Sequence, residues 1–178
     1  MVAGFCTLLP RPAEIGDVDE NQDTLVGNAK LKAVAVMRAT GLPALADDTG
    51  LFVDALGGEP GVHSARFAGS ASDDKANRLL LLERLSGVAP DRRTAVFRSL
   101  MIVAWPDGHF TVAEGECAGT ISEHEIGTEG FGYDAVFIPL EGDGRTYAQM
   151  SASEKNSLSH RRRAVDSLVA KLKNELQS

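Results

Sequence analysis

"LADDTGLFVDALGGEPGVHSARFAG", Leu45 to Gly69, sets two short apolar runs on either side of an acidic doublet and follows them with a glycine-rich loop. "ALA" and "LFVDAL" have the length and composition of strands, so the stretch predicts two short strands split by a corner at Asp47-Asp48-Thr49-Gly50. Neighbouring carboxylates repel, and adjacent side chains of an extended segment point to opposite faces. One principal acid is therefore expected, not a matched pair. Two readings of the doublet stay open on the residues alone. It is an acidic turn in which Asp47 caps backbone amides, or a seat for a hard cation such as Mg²⁺, which takes oxygen ligands and shares its coordination with substrate phosphates. In the second case a carboxylate also orients or deprotonates an attacking water. The loop that follows, with Gly57, Gly58, Pro60, Gly61 and Gly69, is expected to shape a pocket wall, and His63 within it to be structural or solvent-exposed.

Outward from this stretch the chain alternates helix and strand signals. "TLVGNAKLKAVAVMRATG" is rich in Ala, Leu and Lys, and Gly41 suits a helix stop, which predicts a helix over about 24–40. "SDDKANRLLLLERLSG" predicts a second helix, capped by Ser72 and terminated by Gly87. "RTAVFRSLMIVAWPDGHFTVAEGECAGTI" reads as a long hairpin turning at Pro106-Asp107-Gly108. "GTEGFGYDAVFIP" is a glycine-rich loop entering another strand, and "SASE" at 151–154 is a capping box. Ser159 then caps a last helix whose apolar positions Val165, Leu168, Val169 and Leu172 follow a 3.6-residue period. "GFCTLLP" is expected to be extended. Helices mixed with short strands and a hairpin give an α/β or α+β domain with a mixed sheet.

A chain of 178 residues fits one domain, or one two-lobed domain, and needs no disulfide or metal staple to build a core. The net charge of −7 excludes a nucleic-acid-coating surface, although a cationic pocket can sit inside an acidic protein. Cys6 and Cys117 are too few for a disulfide framework and read as small core residues. No apolar stretch has transmembrane length, and the first ten residues lack a basic leader region, so a cytoplasmic protein without a membrane partner is expected.

Two further constellations carry chemistry. In "GFGYD", Gly130 to Asp134, glycines flank Phe131, so a planar ligand can approach the ring, and Asp134 offers an acceptor. Aromatic faces bind nucleobases this way, but the same residues serve equally as an anchor for the strand that follows. "EKNSLSHRRR" places Lys155, His160 and Arg161 near the start of the last helix, where cations oppose the helix dipole. That placement suits a ligand, and it also suits a solvated helix face.

Taken together and in order, "LPALADDTGLFVDALGGEPGVHSARFAG", "GTEGFGYDAVF" and "SEKNSLSHR" resemble the inosine triphosphate pyrophosphatase family, with "DTLVGNAKLKA" extending the likeness across nearly the whole chain from Arg11. The resemblance implies an elongated mixed sheet flanked by helices, with two lobes around a central cleft. It implies Mg²⁺-dependent hydrolysis of the purine nucleoside triphosphates dITP, ITP and XTP to the monophosphate and pyrophosphate, by a homodimer. Carried over position by position, it makes Asp48 the catalytic acid and metal contact and Thr49 a substrate contact. Phe131, Gly132, Tyr133 and Asp134 become the base-binding loop, with Phe131 stacking on the purine, while Lys155, His160 and Arg161 complete the substrate contacts. A 6-oxo purine presents an acceptor where adenine presents an amino donor, so Lys, His⁺ or Arg at that edge would select the former.

The chain departs from the family pattern at two places. A strand, a Thr/Ser-x-Asn-x-x-Lys loop and a helix normally precede the equivalent of "GFCTLLP", which implies a chain truncated at its N-terminus relative to the family. A catalytically impaired purine-nucleotide-binding homologue is the alternative that follows. The family also places an acidic residue before the Asn of "GNA", where this chain has Gly27, with Asp19, Glu20 and Asp23 as the nearby acids able to compensate.

Overall fold

The computed structural model describes residues 6–69, 72–175 and 177. In chain order its elements are α1 (Leu25–Thr40), β1 (Ala44–Val53), β2 (Pro60–Gly61), α2 (Asp74–Arg84), β3 (Thr94–Ala104), β4 (Phe110–Ile121), β5 (Phe137–Pro139), α3 (Ala152–Leu158) and α4 (His160–Glu175). The strands form one sheet in the order β2-β1-β3-β4-β5. β2 pairs antiparallel with β1, Leu51 opposite Gly61, and β5 pairs antiparallel with β4, Thr120 opposite Ile138. The expected α/β class holds.

Local chemistry sets most boundaries. The Thr24 side chain accepts from the Gly27 amide to start α1, and Gly41 stops the helix at φ 69°. Ser151 and Glu154 form the reciprocal capping box of α3, and the Ser159 hydroxyl accepts from the Arg162 amide at 3.2 Å in the first turn of α4. The second helix differs from expectation. It begins one residue later, so Asp73 is its cap and not Ser72, and it ends at Arg84, ahead of Gly87.

The larger correction concerns "LADDTGLFV". Asp47-Asp48-Thr49-Gly50 is no corner, because β1 runs unbroken through it. Gly50 serves close approach and not a turn: a Cβ there would lie 2.5 Å from the Gly61 carbonyl oxygen of β2. Membership of β1 in the sheet, between β2 and β3, thus overrides the local turn propensity of Asp and Gly.

The chain divides into two compact units, one built from the residues up to Asp48, Ser99–Gly115 and the segment from Arg163 onward, the other from Thr49–Arg98 and Glu116–Arg162. The first has a core in which Ala164, Leu168 and Leu172, four residues apart on α4, pack with Met101 and Val103 of β3 and Ala113 of β4. The second is built around Leu51, Leu81, Phe97, Val136, Phe137 and Tyr147. Its aromatic centre has Phe97 edge-on to Phe137 at 4.6 Å. β4 alternates buried and exposed residues along its length, whereas β3 is continuously buried from Ser99 to Ala104, as a strand covered on both faces requires.

At the N-terminal end, Cys6 to Pro12 forms neither helix nor strand, and Gly4 and Phe5 of "GFCTLLP" lie outside the described residues. Cys117 is buried as expected, but Cys6 is exposed.

Within the second unit a buried guanidinium fastens three backbone carbonyls. Arg93 donates from Nε to the Ile121 carbonyl at 2.8 Å, from Nη1 to Leu85 at 2.9 Å and from Nη2 to Ser122 at 2.7 Å. Truncation removes a charged donor from three buried carbonyls, of which Leu85 keeps the Val88 amide at 3.1 Å; a buried carbonyl left without a donor costs about 1–3 kcal/mol. Arg93→Ala is expected to lower unfolding stability by about 3 kcal/mol in urea titrations, and Arg93→Lys to recover only part of it.

Candidate functional site

In the first unit, strand alternation turns Asp48 inward and leaves Asp47 exposed. α1 supplies the countercharge: Lys32 Nζ lies 3.2 Å from Asp48 Oδ1 and 3.1 Å from Glu20 Oε1. One ammonium thus joins two carboxylates. Asn28, one turn before Lys32, accepts the Gln22 amide on its Oδ1 at 3.0 Å. Two buried polar atoms have no hydrogen-bond partner among the described residues here, Asp48 Oδ2 and Asn28 Nδ2. Burial pushes the Asp48 carboxyl above its ordinary value; Lys32 opposes that shift, the charge of Glu20 reinforces it, and the Asn28 side chain, near Asp48 but outside hydrogen-bond distance, opposes it weakly.

Gly27 has a steric reason. A Cβ at that position would lie 2.6 Å from Gln22 Cβ, so an acidic side chain there would need this approach to open. Of the three acids able to compensate, Glu20 is joined to Asp48 through Lys32. Among the described residues, no group of three or more His, Cys, Asp or Glu side chains stands together as a metal cage. Two carboxylates sharing one cation, with one oxygen unpartnered, do suit a hard ion that completes its shell from phosphate and water.

In the second unit, the Gly130–Asp134 loop is held through its own backbone. Asp134 Oδ2 accepts the Phe131 amide at 2.9 Å, the Asp134 amide donates to the Phe131 carbonyl at 3.1 Å, and Lys155 Nζ closes on the same Oδ2. Asp134 is buried, and a Cβ on Gly130 would lie 2.0 Å from its Oδ2, so glycine is the residue that lets the carboxylate in. Asp134 therefore organises the loop and is not a free acceptor. Tyr133 also turns inward, its hydroxyl donating to the Ser64 carbonyl at 2.8 Å.

What remains outside is the Phe131 ring, 62% exposed. Lys155 Nζ stands 4.6 Å from its centroid and Arg161 Cζ 5.9 Å. Arg161 also reaches Thr49, its Nη2 donating to Oγ1 at 3.4 Å. The structure thus gathers Phe131, Asp134, Lys155, Arg161 and Thr49. His160 is different in kind. It is buried and stacked on Phe97 at 4.6 Å, and burial, aided by the charges of Arg161 and Lys155, lowers its pKa to about 3. It is a neutral imidazole, not the imidazolium that the donor argument allowed. The glycine-rich loop does shape a wall: Glu59, Pro60, His63, Arg66 and Phe67, with Leu80 and Arg84, line a hollow of about 400 Å³.

Lys32 escaped the sequence reading, although "GNAKLK" places it four residues after Asn28 and hence on the same helix face. Its partnership with Asp48, sixteen residues away, is a tertiary fact.

Comparison with known proteins follows the same lines. The Ham1 family profile matches residues 5–171. The dITP/XTP pyrophosphatase of Streptomyces avermitilis is 51% identical over 156 residues, 88% of this chain and 78% of that protein. Among solved structures, the Staphylococcus aureus Ham1 protein superposes with a TM-score of 0.84 at 39% identity, covering 90% of this chain and 82% of that one. The nucleoside-triphosphatase / dITP/XTP pyrophosphatase of Mycobacterium abscessus gives 0.76 at 43% identity, with 88% and 80% covered.

The two shifted groups are measurable. In carboxyl ¹³C NMR titrations of metal-free protein, Asp48 is expected to titrate above the ordinary 3.8, and higher still in Lys32→Met, which removes the opposing charge. His160 has the opposite effect on proton balance. Between its ordinary 6.5 and its folded value of about 3, the unfolded chain binds more protons than the folded one. Stability is therefore lost as pH falls through that window. The drop in urea midpoint between pH 7 and pH 4.5 is expected to be smaller in His160→Gln.

Proposed function

This chain belongs to the Ham1 family and is, on that ground, a nucleoside-triphosphate pyrophosphatase; we propose that it hydrolyses dITP, ITP and XTP to the monophosphate and pyrophosphate. The observation that carries the chemical half of this reading is Asp48. It is a buried carboxylate with Lys32 on Oδ1, no hydrogen-bond partner on Oδ2 among the described residues, and a raised pKa. A basic carboxylate in that state is suited to take the proton of a water attacking the triphosphate, and general-base help of this kind contributes about 10²–10⁴-fold. Water adds to phosphorus, the α–β anhydride bond breaks, pyrophosphate leaves, and Asp48 holds the released proton. Lys32 keeps Asp48 charged until then and supplies positive charge for phosphate.

Mg²⁺ belongs to the same proposal. Asp48 and Glu20 would hold it, and bound there it would neutralise phosphate charge and orient the attacking water. Base recognition falls to the second cluster. Phe131 offers its exposed face to the purine, while Lys155 and Arg161 offer donors to a 6-oxo group and none of the acceptors adenine needs. His160, held neutral, contributes at most one N–H donor and packs the wall behind them. Among the described residues no helix is long and apolar enough to cross a membrane. The reading takes the enzyme as a cytoplasmic homodimer, as the family likeness implies.

Pyrophosphate release from ITP in the presence and absence of Mg²⁺ tests the proposal. Asp48→Asn is expected to lower kcat by about 100-fold or more. Phe131→Ala is expected to raise KM about tenfold, the loss of one stacked base. Wild-type protein that binds ITP without turnover, or Asp48→Asn with unchanged rate, overturns the reading.

A further inference from the structure

The Phe131 loop contains two glycines in the left-handed region, Gly130 at φ 80° and Gly132 at φ 58°. Such residues lose more backbone freedom on ordering than any others, and an aromatic platform on a loose loop would lose affinity to that ordering each time it bound a base. Asp134 and Lys155 brace the loop on one side. The other side is held from α2. Asp74 Oδ2 accepts the Gly132 amide at 2.7 Å, and Arg78 Nη1 donates to the Gly132 carbonyl at 2.8 Å. Arg78 Nε also pairs with Glu125, in the segment leading into the loop.

Asp74 and Arg78 are four residues apart, on one face of α2 and one turn from each other. The spacing presents an acceptor and a donor that match the N–H and C=O of a single residue. Gly132 has open space where a Cβ would stand, so no side chain of its own packs it in place. Its two backbone bonds to α2 are both charge-assisted, the stronger class of hydrogen bond. Both partners come from more than fifty residues away.

We propose that Asp74 and Arg78 are positioning residues for base recognition, which hold the Phe131 ring in its binding orientation by fixing both polar groups of Gly132. The proposal depends on the reading of Phe131 as the purine platform. Neither residue touches the substrate under this assignment. They act on KM through Phe131 and leave the hydrolytic step alone.

Steady-state kinetics with ITP, together with amide hydrogen exchange at Gly132, test it. Asp74→Ala and Arg78→Met are each expected to raise KM about fivefold, with kcat within twofold of wild type. Gly132 amide exchange should quicken at least tenfold in Asp74→Ala, and Asp74→Asn, which keeps an acceptor oxygen, should restore most of both properties. Glu125→Gln, which weakens only the second contact of Arg78, should leave KM unchanged. In a Phe131→Ala background, Asp74→Ala and Arg78→Met should add nothing further to KM. If Phe131→Ala raises KM but the α2 substitutions add fully to it, or lower kcat instead, the α2 assignment falls alone. If Phe131→Ala leaves KM unchanged, the platform reading itself falls and takes the proposal with it. Asp74 lies on the surface, so its substitution reports on the loop even if Arg78→Met proves too unstable to assay.

Discussion

A carboxylate withdrawn from water stays charged only beside a cation or a set of donors, and this chain meets that constraint twice. Asp48 is buried against Lys32, which also holds Glu20, and Asp134 is buried against Lys155 and the Phe131 amide. The two solutions differ in completeness. Asp134 Oδ2 takes two donors, and the result is a fixed loop. Asp48 keeps one oxygen without a hydrogen-bond partner among the described residues, and burial raises its pKa. Removing a partner from either pair would leave an uncompensated buried charge, which is why both depend on a lysine delivered by a helix. A saturated carboxylate is a structural part, whereas an unsaturated one is available for chemistry.

The surroundings of Phe131 follow from the first case. With Asp134 consumed inside the loop and Tyr133 anchored to Ser64, the ring of Phe131 is the apolar group left to solvent, under two cationic side chains. A large exposed aromatic on a backbone held at several points is poor design for stability and good design for a stacking ligand. His160 behind it shows the same economy. A charged imidazole could not be tolerated between Arg161, Lys155 and the aromatic core, so it stays neutral and stacks on Phe97.

Much of the fold was legible because its signals are local. Thr24 and Gly41 bound α1, Ser151 and Glu154 start α3, and the Pro106-Asp107-Gly108 turn closes the hairpin. Each is a short-range hydrogen-bond or dihedral preference written in neighbouring residues. The failures are equally instructive. Asp47-Asp48-Thr49-Gly50 reads as a corner because Asp and Gly favour turns, and pairing with neighbouring strands outweighed that preference. Cys6 read as core by residue type, yet it is exposed.

For the candidate site, the sequence by itself supplied the inventory: an acidic doublet, an aromatic flanked by glycines, and cations near the head of the last helix. A period of two also required the two aspartates to face opposite sides, and the structure turned Asp48 inward. Only the tertiary structure decided what each group is free to do. It spent Asp134 on the loop, neutralised His160, set Glu20 and Lys32 beside Asp48, and tied Gly132 to α2. Burial and charge pairing join residues far apart in the chain, and a pKa or a vacant lone pair depends on those neighbours and not on the residue's own type.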